Sequence, residues 1–400
     1  MLDMGCAFFM LLACFQFWRY LRKRTLLNLV LSGVCFGLAQ SAKYTAVILF
    51  PLFLIFAVAD VVQNKRVKLG RAIGSTLVIW LIGIFVLWGT YFFEFKPLLG
   101  NMPEIEEKIE YIKTFSAAVP FVDNEKLASF LIDFSKNTPI PLSTYTYSFM
   151  GVVKTVAVGQ RLFFMGQEIE GGSKFYYLVD FLIKTPLPVI MIILLSVSAL
   201  KKRTKIGLLN NLFLLLPVFI MIFIVTFSSL QGGLRYLLPM YPFLFVWLGD
   251  TVNINAGRWT KPFKGLLIGL SAWYFAGSML VYPHYLAYFN ETVGGPGGFG
   301  YKITADLDWG QDFKSLKKYM DEKGIEKINL YAFGTVDPSY YGIQRDEQFT
   351  EEELAEPLPG EYYAISARLL NTVRWSDEYE PIDRVGYNVF IYYIETDKNR

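Results

Sequence analysis

Eight apolar runs follow one another through the first 283 residues: roughly 3–18, 26–42, 44–63, 72–95, 178–200, 208–230, 234–251 and 265–283. A helix needs about 20 mostly apolar residues to cross the hydrocarbon layer of a bilayer, and each run is close to that length. The links between them alternate in charge. Arg19, Arg22, Lys23 and Arg24 follow the first run; Lys65, Arg66, Lys68 and Arg71 follow the third. Lys201, Lys202, Arg203 and Lys205 follow the fifth, and Arg258, Lys261 and Lys264 the seventh. The other short links hold only Lys43 and Arg235. Basic loops stay on the cytoplasmic side. The chain is therefore expected to be an α-helical polytopic protein of a plasma (inner) membrane, with 97–177 and 284–400 extracytoplasmic.

Composition agrees. Apolar residues make up 54% and charged residues 18%, against roughly 25% charged in soluble chains, which also excludes intrinsic disorder. Residues 284–400 hold 21 of the 35 acids and 12 of the 38 bases, so an acidic tail follows a basic, apolar body. A basic body that is also apolar points to membrane lipid and not to nucleic acid. Cys6, Cys14 and Cys35 lie inside apolar runs and read as small buried residues. No histidine or cysteine metal site is visible, since His284 is the lone histidine and no Cys/His cluster exists.

Four parts are expected: four membrane helices (1–96), an outer loop (97–177), four more membrane helices (178–283) and a soluble α/β domain (284–400). In the loop, Glu104 to Lys113 and Asn124 to Phe134 have the pattern of amphipathic helices, and the aromatic Tyr145 to Phe149 suits a membrane interface. In the tail, Asp312 to Lys323 predicts a helix closed by Gly324. Ile325 to Phe333, Tyr362 to Ala367 and Asn388 to Ile394 predict strands. The glycine-rich Gly294 to Gly300 lacks the Lys-Ser/Thr of a phosphate loop and reads as a flexible connector.

Ionisable groups at a membrane boundary are functional candidates. Lys43, Lys184 and Arg235 all map to the outer boundary, opposite the basic loops, and cations there suit a lipid phosphate. Asp3 opens the first run, where it can serve as a base or as a helix cap. Asp306 and Asp308 have the Asp-x-Asp spacing that can hold a divalent cation, with Asp312 either a ligand or an N-cap. Met1-Leu2-Asp3 enters an apolar helix with no basic stretch before it, unlike a secretory signal, and the chain is expected to lack earlier helices.

At these residues the chain resembles a known family. Gly37-Leu-Ala-Gln-Ser-Ala-Lys43-Tyr44-Thr, Lys184-Thr-Pro186, Arg235-Tyr236-Leu-Leu-Pro239 with Tyr241-Pro242, Tyr288-Phe-Asn290 to Pro296, and Asp306 to Asp312 occur in order. Their succession is similar to the later part of a phospholipid-carrier-dependent glycosyltransferase of the protein O-mannosyltransferase-like superfamily. The resemblance implies a GT-C-like bundle that moves a hexosyl or pentosyl group from a polyprenyl-phosphate donor to a glycan, lipid or protein acceptor on the outer face. It implies inversion at the anomeric carbon, Lys43, Lys184 and Arg235 on the donor phosphate, and Tyr44, Tyr236, Asp306 and Asp308 on the substrate side. Leu2-Asp3-Met4-Gly5 resembles the family's second acidic position; the primary acidic loop has no match here, so activity of this chain alone is an open expectation. A transporter or flippase and a non-catalytic membrane scaffold are the competing classes.

Overall fold

Thr25 decides how the first two helices join. Its hydroxyl accepts the Asn28 N–H at 3.3 Å and caps the second helix, supplying one of the donors that a helix start leaves open. The computed structural model describes residues 2–64, 67–99, 105–117, 123–159, 162–200, 208–255, 257–304, 307–334, 336–344 and 356–395. Helices α1 (Leu2–Arg22), α2 (Leu26–Ala42), α3 (Leu49–Gln63, entered through a 3-10 turn at Tyr44–Ile48) and α4 (Leu69–Thr90) form the first group. Their core is aromatic: Phe17 stacks on Phe53 at 4.2 Å, and Phe56 on Phe213 at 3.8 Å. The three cysteines are buried and free, as expected. At the basic end, Arg24 holds the buried Asp60 of α3 at 2.5 Å.

Glycine sets how closely α2 and α4 approach. A Cβ at Gly37 would lie 2.5 Å from the Gly83 carbonyl oxygen, and one at Gly83 would lie 2.4 Å from the Phe36 ring. In hydrocarbon, small residues let backbones touch and dispersion contacts hold the pair. Gly37→Leu is expected to lower stability by about 3 kcal/mol, the upper end of overpacking costs. A lower unfolding temperature in detergent is the measurement; an unchanged one removes the close α2–α4 contact.

The segment that follows α4 is clipped at its base by a two-stranded antiparallel pair, β1 (Phe95–Pro97) on β2 (Pro139–Pro141), with Phe95 opposite Pro141. Between and after these lie α5 (Ile105–Ala117), α6 (Asn124–Asn137) and α7 (Ser143–Val158). Glu104 falls outside the described residues; α5 and α6 otherwise follow the sequence pattern. The aromatic stretch 145–149 lies within α7, a helix that the interface argument did not anticipate. Leu98, Leu99, Ile112 and Met150 bury together beneath these helices. A hairpin of β3 (Leu162–Phe164) and β4 (Gln167–Ile169) completes the segment.

Two expected spans are realised differently. The run 178–200 divides into α8 (Tyr176–Lys184) and α9 (Leu187–Ser198), bent by 109°. Pro186 has no N–H to donate and forces Thr185 into extended backbone (φ −85°, ψ 130°), which ends a helix. The run 234–251 is two 3-10 turns, Leu234–Tyr236 and Leu238–Met240, followed by the nine-residue α11 (Tyr241–Gly249). Between and after these lie α10 (Leu208–Phe227) and α12 (Thr260–Val281). Five helices among the described residues are long and apolar enough to cross a membrane, six if α8 and α9 form one broken span. The eight expected crossings thus become a polytopic bundle with a 17-residue α2 and interrupted segments near its later helices.

The tail carries α13 (Phe313–Lys323), closed by Gly324 at φ 67°. Its four-stranded sheet comprises β5 (Asn329–Tyr331), β6 (Tyr362–Ser366), β7 (Asp383–Val385) and β8 (Val389–Tyr393), in the order β5-β6-β8-β7. β5 runs parallel to β6, and the other pairings are antiparallel. The glycine-rich connector folds back on itself. Phe299 N–H bonds the Val293 carbonyl at 3.0 Å, and a Cβ at Gly298 would lie 2.0 Å from that same oxygen.

Candidate functional site

The start of α1 and the end of α2 bring opposite charges together. Asp3 lies in the first turn of α1, and Lys43 caps the end of α2 in extended backbone. The Lys43 ammonium pairs with Asp3 Oδ1, both side chains being 22% exposed. The same ammonium lies 4.4 Å from the Tyr236 ring centroid, and the Arg235 guanidinium approaches that ring at 5.2 Å. Cations over aromatic faces are favoured by the ring quadrupole. Here they place two positive groups around one tyrosine.

The segment before Arg235 is held for this purpose. Buried Gln231 accepts the Ser173 N–H at 2.9 Å and donates to the Ser173 carbonyl at 2.7 Å. Gly232 follows, where a Cβ would meet the Tyr236 ring at 2.9 Å and Arg235 Nη2 at 3.0 Å. Arg235 Nε is buried with no hydrogen-bond partner among the described residues. A buried donor without an acceptor is costly, and an anion would satisfy it.

The tail contributes residues that the sequence argument did not select. The Arg235 guanidinium lies 4.3 Å from the Trp309 ring centroid. Arg368 lies 5.5 Å from the same ring and 3.8 Å from that of Phe333. Trp309 lies within the Asp306 to Asp312 run, where no charge or spacing marks it out. Asp308 turns inward: it accepts the Ser366 hydroxyl and, at 2.9 Å, the Gly310 N–H. Asp312 occupies the N-cap position of α13 without capping it. Its carboxylate accepts from Asn388 Nδ2 at 2.5 Å and pairs with His284 Nδ1 at 3.3 Å. Asp306 lies outside the described residues. Among those residues, no group of three or more His, Cys, Asp or Glu is placed to hold a metal.

Burial pushes the Asp308 carboxyl above the usual aspartate range, against the bonds from Ser366 and Gly310 and the charge of Arg368. Asp312 moves the same way, by burial opposed by Asn388 and His284. A raised carboxyl binds protons more readily in the native state than in the unfolded chain, so stability falls as pH rises through the interval between the two values. That fall is expected to begin near pH 4, the ordinary aspartate value. Asp308→Asn is expected to flatten it. Unfolding of the full chain in detergent, followed across pH, is the check; an unchanged slope contradicts it.

The remaining candidates are placed as follows. The Tyr44 ring lies 4.9 Å from Tyr145 and 5.9 Å from Phe149, so α7 covers it, and Tyr91 meets Tyr145 at 5.9 Å. Lys184 is buried, donates to the Leu286 carbonyl at 3.3 Å and lies 4.6 Å from the Phe289 ring. These contacts tie the end of α8 to the segment that leads into the tail. Lys43 and Arg235 meet through Tyr236, while Lys184 contacts Leu286 and Phe289, in the segment ahead of the connector.

Residues 1–94, which carry Asp3 and Lys43, match the family model described as dolichyl-phosphate-mannose-protein mannosyltransferase. The resemblance read from the motifs is borne out over this stretch, and the match supports a membrane glycosyltransferase at the level of the family. No curated protein and no solved structure matches the chain.

Proposed function

We propose that the chain transfers a sugar from a polyprenyl-phosphate donor to an acceptor hydroxyl on the membrane face opposite its basic loops. The observation that carries this is the continuous contact from Asp3 through Lys43, Tyr236 and Arg235 to Trp309. It sets a carboxylate beside two cations at one end of the bundle, next to a guanidinium nitrogen in need of an acceptor.

In the reaction, the Asp3 carboxylate takes the proton of the acceptor hydroxyl. The acceptor oxygen bonds the anomeric carbon while the bond from that carbon to the phosphate oxygen breaks. Lys43 and Arg235 stabilise the charge that collects on the departing lipid phosphate, the larger electrostatic contribution in such steps. Tyr236 spaces the two cations, Tyr44 lines the acceptor side under α7, and Trp309 holds Arg235 from the tail. Lys184 secures the connector on this reading. A dolichyl- or other polyprenyl-phosphate mannose is the donor suggested by the family match, with protein as the first acceptor class to test.

The test uses membranes carrying the chain and a radiolabelled polyprenyl-phosphate sugar of verified competence. Label is expected in a glycan, lipid or protein acceptor, and Asp3→Asn is expected to reduce transfer by roughly 10²–10⁴-fold, the usual contribution of a general base. Absence of transfer to every acceptor class rejects the proposal. Transfer unaffected by Asp3→Asn removes that residue from the base role.

A further inference from the structure

Helices α1, α10 and α11 enclose an apolar cavity of about 520 Å³, lined by Phe8, Phe15 and Trp18 of α1, Leu214 of α10, and Phe243 and Val246 of α11. That volume falls within the roughly 300–1,000 Å³ of ligand pockets. None of the residues around Arg235 lines it. Phe8 and Phe15 are among the exposed large apolar side chains, so the cavity opens on the surface that lipid chains would cover.

The lining is almost wholly apolar, with a single amide side chain in it. This is Asn210, and its Oδ1 accepts both Trp18 Nε1 at 2.9 Å and Arg22 Nη2 at 2.9 Å. The Arg19 guanidinium lies 5.9 Å from the Phe15 ring centroid, and that of Arg22 lies 5.6 Å from Trp18. Two cations are thus held over rings that themselves line the cavity. Neither arginine pairs with a carboxylate among the described residues. A helix of this length rises about 30 Å, so these arginines are a membrane thickness away from Asp3.

We infer that the groove is a lipid site. One acyl chain of an anionic glycerophospholipid lies along Phe8, Phe15 and Trp18, and its phosphate meets Arg19 and Arg22. Contact of the chain with apolar walls adds dispersion contacts, since no water is displaced in hydrocarbon, and gives no headgroup selectivity. The two guanidiniums add charge-assisted bonds to the phosphate that every such lipid carries, and they favour a headgroup whose net charge no cation of its own offsets. A polyprenyl chain offers similar apolar length, but in the proposed reaction its phosphate belongs at the Asp3 end of α1. The glycerophospholipid, entering from the leaflet beside Arg19 and Arg22, satisfies the apolar walls and the two arginines at once. This inference is independent of the transfer reaction.

Native mass spectrometry of the full chain in detergent, titrated with palmitoyl-oleoyl phosphatidylglycerol or phosphatidylcholine, tests it. Phosphatidylglycerol is expected to bind more tightly. The double variant Arg19→Gln/Arg22→Gln is expected to weaken phosphatidylglycerol about 30-fold, the combined attraction of two basic residues for anionic lipid, and to weaken phosphatidylcholine, whose choline offsets its phosphate, far less. Leu12→Trp, which fills the groove without altering charge, is expected to weaken both, and serves as the test if the double variant does not fold. Equal binding of the two lipids by the unaltered chain overturns the inference, as does phosphatidylglycerol binding that neither variant affects. Competition by a polyprenyl phosphate, with none by phosphatidylglycerol, would assign the groove to the donor chain instead.

Discussion

Arg235→Ala is expected to reduce sugar transfer by at least about 10²-fold, the usual consequence of deleting one group that stabilises a developing negative charge. Arg235 is held between the rings of Tyr236 and Trp309, with its Nε free of any described acceptor. Its planar donors can take two phosphate oxygens together, which an ammonium does not reproduce. Arg235→Lys should therefore recover only part of the loss. Because charge on phosphate grows as the sugar departs, kcat should fall more than donor affinity. The measurement is the initial rate of transfer by purified protein across donor concentrations. Unchanged kcat and KM would remove Arg235 from the donor phosphate and leave its stacking as a purely structural contact.

Asn290→Ala is expected to produce the largest loss of stability, about 2–5 kcal/mol from two buried carbonyls left without donors. The break at Thr185 and Pro186 frees backbone acceptors, and the fully buried Asn290 supplies them. Its Nδ2 donates to the Leu182 carbonyl at 2.6 Å and the Thr185 carbonyl at 2.8 Å. Its backbone N–H reaches the Ile183 carbonyl at 2.8 Å. Its Oδ1 accepts the Thr292 N–H at 3.1 Å and also the Thr292 hydroxyl. Broken helices within membrane proteins persist only when other groups satisfy the freed backbone, and one side chain does most of that here. Faster hydrogen exchange of the Asn290 amide and a lower unfolding temperature in detergent are the checks. Unchanged exchange and unfolding temperature would mean that water or another donor already serves those carbonyls.

Local signals were legible where a single helix or strand is decided by its own residues. The periodic pattern from Asp312 and the stop at Gly324 led directly to α13, and Tyr362 to Ala367 led to β6. The same logic misread the run 234–251: its apolar content resembles a span, but Pro239 and Pro242 leave only α11 as a continuous helix. It also missed α7, because aromatic residues serve a helix and a membrane interface equally well. In Gly294 to Gly300 the composition does not reveal the packing need that the structure shows, with Gly298 lying against backbone.

For the site, residue chemistry identified Asp3, Lys43 and Arg235 as groups expensive to leave at a membrane boundary, and Tyr44 and Tyr236 came from their motifs. It could not say which of the cations would meet. Lys43, Lys184 and Arg235 look alike in sequence, yet Tyr236 lies beside two of them and Leu286 takes a hydrogen bond from the third. Nor could spacing foresee that Asp308 and Asp312 turn into the tail while Trp309 between them turns to Arg235.

The sequence by itself determined that the chain is a multi-helix membrane protein with a differently charged tail, because apolar length, loop charge and net charge are properties of contiguous residues. Only the tertiary structure decided that the tail reaches the bundle, that Asn290 completes a helix break more than a hundred positions earlier, and that Arg235 and Arg368 share Trp309. Those contacts join segments far apart in the chain. They depend on which buried donors and acceptors find partners once the helices have packed, a condition that no local stretch of residues contains.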